Sequence, residues 1–341
     1  MSDFTIVRLD HTDHELVQSK IDAALEVFAH DRVPLPPPTP TELMLELVQH
    51  PRDRAEEQWV AVEDGRVIGF APVRLPVLDN THNLQFDVRV RPGSRGRGVG
   101  SALLGHVEAR AAELGRTNLT AFVRSPVPEG SAFLDPGSAF LERRGYTSAM
   151  TMGLRVVDLD DVDDAEVDRL WTEAWKRAEG FELVLFEGAP DEALLEGIGY
   201  LHGRVYADSP TGDWDIREVV YDAERVRDGV RLQRESGNLH LQAAAIHTET
   251  GALAGYTEIV IAAGHEHAAN QGDTIVDPRF RGHRLGTILK IANQRRVRDW
   301  RPKMRRIWTG NAEDNHHMIA VNESIGYRRG ALGSLFQKDL A

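Results

Sequence analysis

The residues best suited to chemistry form a glycine- and arginine-rich turn, Arg95-Gly96-Arg97-Gly98-Val99-Gly100-Ser101. Alternating glycines permit positive φ angles and remove the Cβ atoms that would keep a ligand away from the main chain. Where such a turn leads into a helix, free N–H groups and the positive end of the helix dipole attract anions. Arg95 and Arg97 add positive charge beside them. The turn is therefore predicted to bind a phosphate or a pyrophosphate.

The spacing of these glycines disfavours two common nucleotide sites. A dinucleotide site needs the pattern G-x-G-x-x-G. The completing position holds Ser101 when counted from Gly96, and Leu103 when counted from Gly98. A Walker loop ends in G-K-S or G-K-T, and this segment lacks that ending. The predicted phosphate therefore belongs to another class of ligand.

The chain carries this kind of turn twice, at one constant spacing. Gly65 and Gly251, each in a short predicted hairpin, are 186 positions apart, and Pro92 and Pro278 before the turns are separated by the same number. The other pairs in this register are Gly69 with Gly255, Asp87 with Asp273, Arg95 with Arg281, Gly96 with Gly282 and Gly100 with Gly286. Two separate segments that share one offset indicate a duplicated domain.

The elements that position each turn follow the same order in both copies. A hairpin is followed by a strand, predicted at Leu84 to Val90 and at Asp273 to Val276, then by the turn and an amphipathic helix. The first of these helices has apolar residues at three- and four-residue steps, namely Leu103, Leu104, Val107, Ala111 and Leu114. Each copy ends in a strand, a last helix and a glycine–tyrosine pair.

This order predicts a mixed α/β fold, with α+β character and a mixed sheet in each of two tandem domains. We expect the first domain at residues 1–155, a linker at 156–180 and the second domain at 181–341. The acidic stretch from Val156 to Asp168 is expected to be an exposed joint.

Composition narrows the function further. The chain has 341 residues and no cysteine, which excludes a thiolate nucleophile, a zinc ribbon and a disulfide framework and fits a cytoplasmic protein. Its net charge of −13 works against nucleic-acid binding. No run of 18 apolar residues occurs, and the first residues lack a signal-peptide pattern, so we expect no membrane partner. The histidine pairs lack metal-site spacing, and no metal is expected.

The pattern V-x-P-x-x-R-G-x-G-x-G, followed by an amphipathic helix and later by Gly145-Tyr146, resembles the acyl-coenzyme A segment of the GNAT superfamily of N-acetyltransferases. The second copy is similar to that superfamily over Asp273 to Lys290 and over Thr309 to Tyr327. Tandem arrangements of this kind occur in mycothiol synthase and in actinobacterial acetyltransferases, where often one copy alone does chemistry. The resemblance implies acetyl-CoA as the acyl donor.

The resemblance also implies which residues hold the coenzyme. Pantetheine would pair with the strand before each turn, at Val88 and Val90 or at Thr274 and Val276. The pyrophosphate would lie on Arg95, Gly96, Arg97, Gly98, Val99, Gly100 and Ser101, or on Arg281, Gly282, His283, Arg284, Leu285, Gly286 and Thr287. Arg284 departs from the pattern, because a glycine is expected there. Asn315 matches an asparagine that contacts the coenzyme, although it could equally be the N-cap of the last helix.

Catalytic groups are less clearly marked. The superfamily commonly uses a glutamate before the turn as a base and a tyrosine on the last helix as an acid, but these positions hold Leu84 and Leu141 in the first copy, and Asn270 and Asn322 in the second. We therefore expect chemistry in the second copy, with Glu258, Asp273 and Asn322 as candidates. Asp273 could instead be paired with an arginine at the end of a strand.

Two functions follow from this sequence. The first is an N-acetyltransferase that moves acetyl from acetyl-CoA to the primary amine of a small molecule. The second is an acyl-CoA-binding regulator or scaffold without turnover. A duplicated chain can satisfy internally the pairing that single copies obtain by dimerising, so a monomer or a homodimer is expected.

Overall fold

The structure is a computed structural model that describes residues 4–32, 35–125 and 137–340. Its helices are α1 (His14–Asp31), α2 (Pro40–Val48), α3 (Val99–Glu113), α4 (Ser138–Glu142), α5 (Asp164–Trp175), α6 (Leu195–Gly203), α7 (Val205–Asp208), α8 (Ala223–Glu235), α9 (Leu285–Trp300) and α10 (His316–Ser324). Its strands are β1 (Thr5–Arg8), β2 (Arg54–Glu63), β3 (Arg66–Pro76), β4 (Asn83–Phe86), β5 (Arg89–Val90), β6 (Asn118–Ser125), β7 (Thr147–Asp158), β8 (Phe181–Glu187), β9 (Leu239–His247), β10 (Leu253–Ile261), β11 (Ala268–Val276), β12 (Arg306–Ala312) and β13 (Arg328–Asp339).

The chain divides into two compact units. The first comprises Met1–Met152, Thr211–Arg217 and Ala331–Ala341, and the second comprises Gly153–Pro210 and Glu218–Gly330. Each unit contains one glycine-rich turn and the sheet that precedes it, as the internal repeat predicts.

The first unit is a mixed sheet with helices on both faces. Its strands follow the order β1-β2-β3-β4-β6-β13, in which β4 and β6 are parallel and the other neighbours antiparallel. The β2–β3 hairpin turns at Asp64 and Gly65, which both have positive φ, and such a turn matches the twist of the strands. Val60 packs in the core beneath α1 and α2, whereas Ala61 packs with α3. Successive residues of a strand point to opposite faces, so these helices cover the two faces.

The second unit repeats this plan. β7, whose residues 153–158 belong to this unit, neighbours β12, and the order continues as β11-β10-β9-β8. β11 and β12 are parallel, and the pairs β10–β11, β9–β10 and β8–β9 are antiparallel. Ala244 and Tyr256 lie in the core with α6 and α8, whereas Ala243 and Ala254 lie in the core with α9.

The compact units differ from the consecutive segments expected from the sequence. Residues 331–341 belong to the first unit, because β13 pairs with β6 from Leu332↔Ser125 to Asp339↔Asn118 and places Phe336 in the core of that unit. Residues 156–180 belong to the second unit. The pairing partner of a strand edge can come from any distance along the chain, which a pattern of adjacent residues does not reveal.

The expectation of an exposed joint at Val156 to Asp168 is wrong in its first part. Val156 and Val157 are buried in β7, and Leu159 is buried just beyond it. α5, which follows, packs on α9 through Val167 and Trp171. The segment was expected to be exposed because it is acidic, but most of its acidic residues follow β7, and the apolar Val156 and Val157 lie within the strand.

The amphipathic helix predicted after the first turn is confirmed, since α3 buries Val99, Leu103, Leu104, Val107 and Ala111. Leu114 ends the helix and is 38% exposed. The strand predicted at Leu84 to Val90 is interrupted. β4 pairs with β6 as far as Phe86↔Ala121, and β5 pairs with β3 alone. The break arises because the two parallel strands separate, and that separation opens a cavity.

Candidate functional site

A cavity of about 560 Å³ lies in the first unit where β4 and β6 separate. Residues Asp87 to Val90 line one side of it, and residues Ala121 to Arg124 line the other. Its remaining described walls come from α1, the glycine-rich turn and α4. The predicted coenzyme residues in the lining are Val88, Val90, Arg95, Gly96, Gly98, Val99, Gly100 and Ser101.

The turn in this unit leaves its main chain open. Gly96 and Gly98 have φ angles of 77° and 86°, and a Cβ atom at either position would meet no heavy atom within 4 Å. Gly98 is the N-cap of α3, so the N–H groups of the following turn have no partner within the helix. Arginine side chains also line the cavity, namely Arg89, Arg95, Arg124, Arg143 and Arg144. The open main chain at the turn suits the pyrophosphate of a coenzyme A thioester.

Arg95 has a structural partner that the sequence did not indicate. Its Nη1 and Nη2 donate to the two carboxylate oxygens of Asp31 at 2.7 and 2.8 Å, and its Nε donates to the carbonyl of Val90 at 3.1 Å. The second unit repeats the arrangement, with Arg281 Nη2 2.9 Å from Asp208 Oδ2 and its Nε 3.4 Å from the carbonyl oxygen of Val276. Each arginine therefore ties the turn to a preceding helix.

Arg97 lies beside the cavity rather than in its described lining. Its guanidinium pairs with Glu63 at the end of β2, with Nη1 at 3.0 Å from Oε2. The prediction that the arginines of this turn add charge for a phosphate is thus modified, because Arg95 and Arg97 are both engaged by carboxylates. Ser101 is contacted by Arg144, whose guanidinium also lies 3.8 Å from the ring centre of Phe140.

The turn in the second unit adopts the same backbone form with a bulkier residue. Arg284 is the N-cap of α9 with φ 59°, the left-handed conformation that Gly98 adopts in the first unit. Such a conformation strains a residue that has a Cβ. His283 is turned toward the carbonyl of Arg177, 2.9 Å away, and its ring lies 5.0 Å from that of Phe181. The side chain of His283 therefore contacts Arg177 and Phe181.

Other predicted residues of this turn are arranged as expected for a strand-to-helix junction. Leu285 and Thr287 are buried at the start of α9. A Cβ at Gly286 would lie 3.9 Å from the side chain of Thr274 and 4.0 Å from that of Val276. The turn therefore lies directly against the strand predicted to pair with pantetheine.

The second unit also brings together a cluster of titratable side chains on the face covered by α6 and α8. Glu258 Oε2 lies 2.5 Å from His240 Nε2 and accepts a hydrogen bond from the Tyr256 hydroxyl at 3.1 Å. The same hydroxyl lies 2.7 Å from Gln242 Oε1. His202, from α6, places its ring 5.4 Å from that of Tyr256. We call these five residues the polar cluster.

The carboxylate of Glu258 is stabilised in its charged form. Burial alone would raise its pKa, but the hydrogen bond and positive charge of His240, the charge of His202 and the Tyr256 hydroxyl outweigh burial, so the pKa is lowered. Tyr256 responds in the opposite sense, because burial and the neighbouring Glu258 raise its pKa well above the ordinary value. At neutral pH the cluster thus holds an anionic glutamate and a protonated tyrosine.

Asp273 enters the same region from β11. Its Oδ2 lies 3.3 Å from His202 Nδ1, and its side chain is 42% exposed, against 18% for His202. Burial would lower the pKa of His202, but the hydrogen bond to Asp273 and the charges of Glu258 and Asp273 outweigh it, and the pKa is raised above 6.5. The alternative that Asp273 pairs with an arginine is wrong, since its partner is a histidine.

The first unit lacks the corresponding groups. At the repeat spacing of 186 residues, Phe70 corresponds to Tyr256 and Pro72 corresponds to Glu258. Asp87, the counterpart of Asp273, accepts a hydrogen bond from Arg89 Nε at 2.6 Å. Burial alone would raise the pKa of Asp87, but the charge and hydrogen bond of Arg89 outweigh it and lower the pKa. The two units therefore share the turn and differ in the groups available to move a proton.

Comparison with known proteins places this geometry in a family. Residues 24–132 match the model of the acetyltransferase (GNAT) family. A tandem GNAT protein from the clavulanic acid biosynthesis pathway, solved without acetyl-CoA, is 30% identical, with 98% of each chain covered and a TM-score of 0.81. This chain belongs to the GNAT family. It is an acyltransferase with two tandem GNAT domains, in a family that uses acetyl-CoA as co-substrate.

More distant GNAT structures support the fold alone. A GCN5-related N-acetyltransferase from Sphaerobacter thermophilus is 17% identical, with 99% of this chain and 96% of that chain covered and a TM-score of 0.65. A glucosamine N-acetyltransferase region of a fungal β-N-acetylglucosaminidase is 14% identical, with 99% and 38% covered and a TM-score of 0.68. Among curated protein sequences, none matches this chain.

Two asparagines predicted in the GNAT site have structural roles in this chain. Asn322 is fully buried, and its Nδ2 donates to Asn311 Oδ1 at 2.6 Å. Within residues 4–32, 35–125 and 137–340, no hydrogen bond links it to Glu258 or Asp273. Asn315 caps α10, since its Oδ1 accepts a hydrogen bond from the Met318 N–H at 3.1 Å.

Sequence reasoning missed the histidines of the polar cluster. His202 and His240 lie far apart in the sequence, in a helix and in a strand that matched the superfamily only in outline. The sequence held one signal for this cluster. Tyr256 and Glu258 are two positions apart on β10, so their side chains lie on the same face of the strand. A histidine opposite them could be found only once α6 was placed on the sheet.

The structure gives two further negative findings. In the part of the chain that it describes, no helix combines the length and apolar character needed to cross a bilayer. The described side chains also contain no group of three or more histidine, aspartate or glutamate residues placed to hold a metal ion.

Proposed function

We propose that this chain is an N-acetyltransferase that moves acetyl from acetyl-CoA to the primary amine of a small molecule, with the chemistry in the second unit. The first unit binds an acyl-CoA without catalysing transfer. The observation that supports these different roles is the polar cluster with Asp273 in the second unit. The first unit has Phe70 and Pro72 at the positions of Tyr256 and Glu258.

The amine must lose a proton before it attacks the thioester. A free alkylammonium has a pKa of about 10, so a base close to the acceptor accelerates the reaction. When His202 is neutral, donation from its Nδ1 to Asp273 leaves Nε2 with the free lone pair. We assign His202 as the base and Asp273 as the residue that orients its ring.

Glu258 acts through His202 rather than on the amine. Its negative charge raises the pKa of His202 and thereby favours proton uptake by that ring. The hydrogen bonds from His240 and Tyr256 keep Glu258 ionised. The carboxylates of Glu258 and Asp273 also suit a cationic acceptor, because opposite charges attract it to the site before it is deprotonated.

The acyl donor lies on the turn that precedes α9. Free N–H groups at the start of this helix would hold the pyrophosphate, as in the first unit. Arg284 narrows the approach relative to glycine, and its guanidinium supplies a charged phosphate contact. Holding the thioester and amine together contributes about 7–11 kcal/mol in favourable cases, so no separate acid is required for substantial rate.

The test is release of free coenzyme A from acetyl-CoA with a panel of amino sugars, amino acids and other small amines. The His202→Asn variant should lower kcat by about 10²–10⁴-fold, the range that one general base contributes. The His317→Asn variant, which changes an exposed histidine in α10, serves as the control. Tight acetyl-CoA binding with no acetylated product from any amine would favour the regulator or scaffold instead. Unchanged kcat in His202→Asn would remove His202 from the mechanism.

A further inference from the structure

Two arginines line the first unit's cavity close to the point where β4 and β6 separate. Arg89 lies on β5 and Arg124 on β6, after the last paired residues of β4 and β6. Arg124 Nε is buried without a hydrogen-bond partner. The guanidinium lies 5.9 Å from the ring centre of Phe122, and no ion pair or hydrogen bond to it occurs within the described ranges. A ligand with an acceptor atom would satisfy this buried donor.

The local charge at this place is positive. Asp87 is already held by Arg89, with 2.6 Å between Nε and Oδ2, and it attracts Arg124 without a hydrogen bond between them. Burial and the charge of Arg89 lower the pKa of Arg124, and Asp87 only partly offsets them. A buried cation without full compensation is costly, and a bound anion relieves that cost.

The arginine pair is separate from the groups that serve the diphosphate. The diphosphate would lie on the turn from Gly96 to Ser101, where Arg144 contacts Ser101. Arg89 and Arg124 instead flank the gap between the two parallel strands, beside Phe86, Val88 and Phe122. A thioester arm that starts from the turn and lies in this gap brings its acyl group toward the arginine pair.

We propose that the first unit binds the coenzyme A thioester of a short dicarboxylic acid, whose free carboxylate lies between Arg89 and Arg124. The inference rests on the proposed role of this unit as an acyl-CoA site. Guanidinium groups suit carboxylates because their donors match both oxygens. The second unit has Ile275 at the position that corresponds to Arg89, so the preference belongs to the first unit.

The test is titration calorimetry of the full chain with succinyl-CoA and with butyryl-CoA, which has the same number of acyl carbons without the carboxylate. We expect succinyl-CoA to bind at least tenfold more tightly. The Arg124→Met variant should remove this difference while leaving butyryl-CoA affinity unchanged, and Arg124→Lys should restore part of it. Thermal melting of each variant checks that the chain is folded.

Three outcomes would overturn the inference, and they differ in what else they affect. Equal affinity for the two thioesters in the unaltered chain would mean that the arginine pair does not recognise a carboxylate on the acyl group. Any carboxylate it binds would then be part of the acceptor. Equal weakening of both in Arg124→Met would make Arg124 a phosphate contact. Both leave the proposed function standing. Failure of both thioesters to bind would also remove the proposed acyl-CoA role of the first unit.

Discussion

At the scale of single residues, two units with the same turn differ in a few side chains on one face of the sheet. Phe70 and Pro72 in the first unit are replaced by Tyr256 and Glu258 in the second. Glu258 then recruits His240, and its charge acts on His202. Because Glu258 and His202 are mostly buried, their charges are weakly screened, and each shifts the pKa of the other toward its charged form.

The proposed base predicts a defined pH dependence. His202 must be neutral to take a proton, so kcat/KM should rise with pH through its pKa, which lies above 6.5. Replacing Asp273 with asparagine removes a hydrogen bond and a charge that raise this pKa, so the midpoint should move to lower pH. Steady-state rates from pH 5 to 9, a range that spans the histidine titration, measure this midpoint.

The Glu258→Gln variant should move the same midpoint in the same direction, since its charge also raises the pKa of His202. The His317→Asn control should keep the original profile. A midpoint that stays fixed in both carboxylate variants would show that a different group titrates.

At the scale of elements, each unit uses an arginine to fix a glycine-rich turn to its helix. Asp31 ends α1 and Asp208 ends α7, and each pairs with the arginine at the start of a turn. A loop with two positive-φ glycines has many conformations open to it when unfolded, so holding it in one shape needs such contacts. The ion pair therefore stabilises the conformation of the turn and takes no direct part in the proposed reaction.

The two arginines of the first turn give a matched prediction. Arg95→Met leaves Asp31, whose side chain is 10% exposed, without its two arginine hydrogen bonds and with His30 Nδ1 beside it at 3.1 Å. This variant should lower the free energy of unfolding by about 2 kcal/mol. Arg97→Met removes an exposed pair and should change stability only slightly. Urea unfolding measures the stability, and calorimetry with acetyl-CoA should show weaker binding in Arg95→Met. Equal destabilisation by both variants would contradict the assignment of Arg95 as the tie.

At the scale of the whole chain, the compact units are not consecutive segments. The first unit is completed by residues 331–341, whose strand pairs with β6, and the second begins within β7 at Gly153. Each sheet therefore depends on hydrogen bonds between residues that are distant along the chain. Such contacts are slow to form, because loop closure must precede them.

Removing residues 331–341 should unfold the first unit selectively. The deletion exposes the edge of β6 and removes Phe336, which is 2% exposed, from the core. Hydrogen exchange followed by mass spectrometry should show loss of protection in Arg54–Glu63 and retained protection in Leu239–His247. In the full chain, Phe336→Ala should destabilise the first unit by about 3–5 kcal/mol. Equal loss of protection in both segments would contradict the assignment.

The sequence by itself determined what depends on neighbours along the chain. The glycine spacing, the constant register and the three- and four-residue steps of α3 each follow from local backbone geometry, so the duplicated turns and the family could be recognised. The residues predicted to bind the coenzyme in the first unit, Val88, Val90 and Arg95 to Ser101, line the cavity with the exception of Arg97, and their role in coenzyme binding stays a prediction.

The tertiary structure alone decided which distant groups meet. No pattern in the sequence places His202 beside Asp273, ties Arg95 to Asp31, or adds β13 to β6, because each contact joins residues brought together by the packing of separate elements. Asn322 illustrates the same limit, since its position in a motif suggested chemistry, and only the structure shows that it is buried in α10 with its amide bonded to Asn311. Proton transfer requires distances of a few ångströms, and those are fixed only when the sheet and its covering helices have formed.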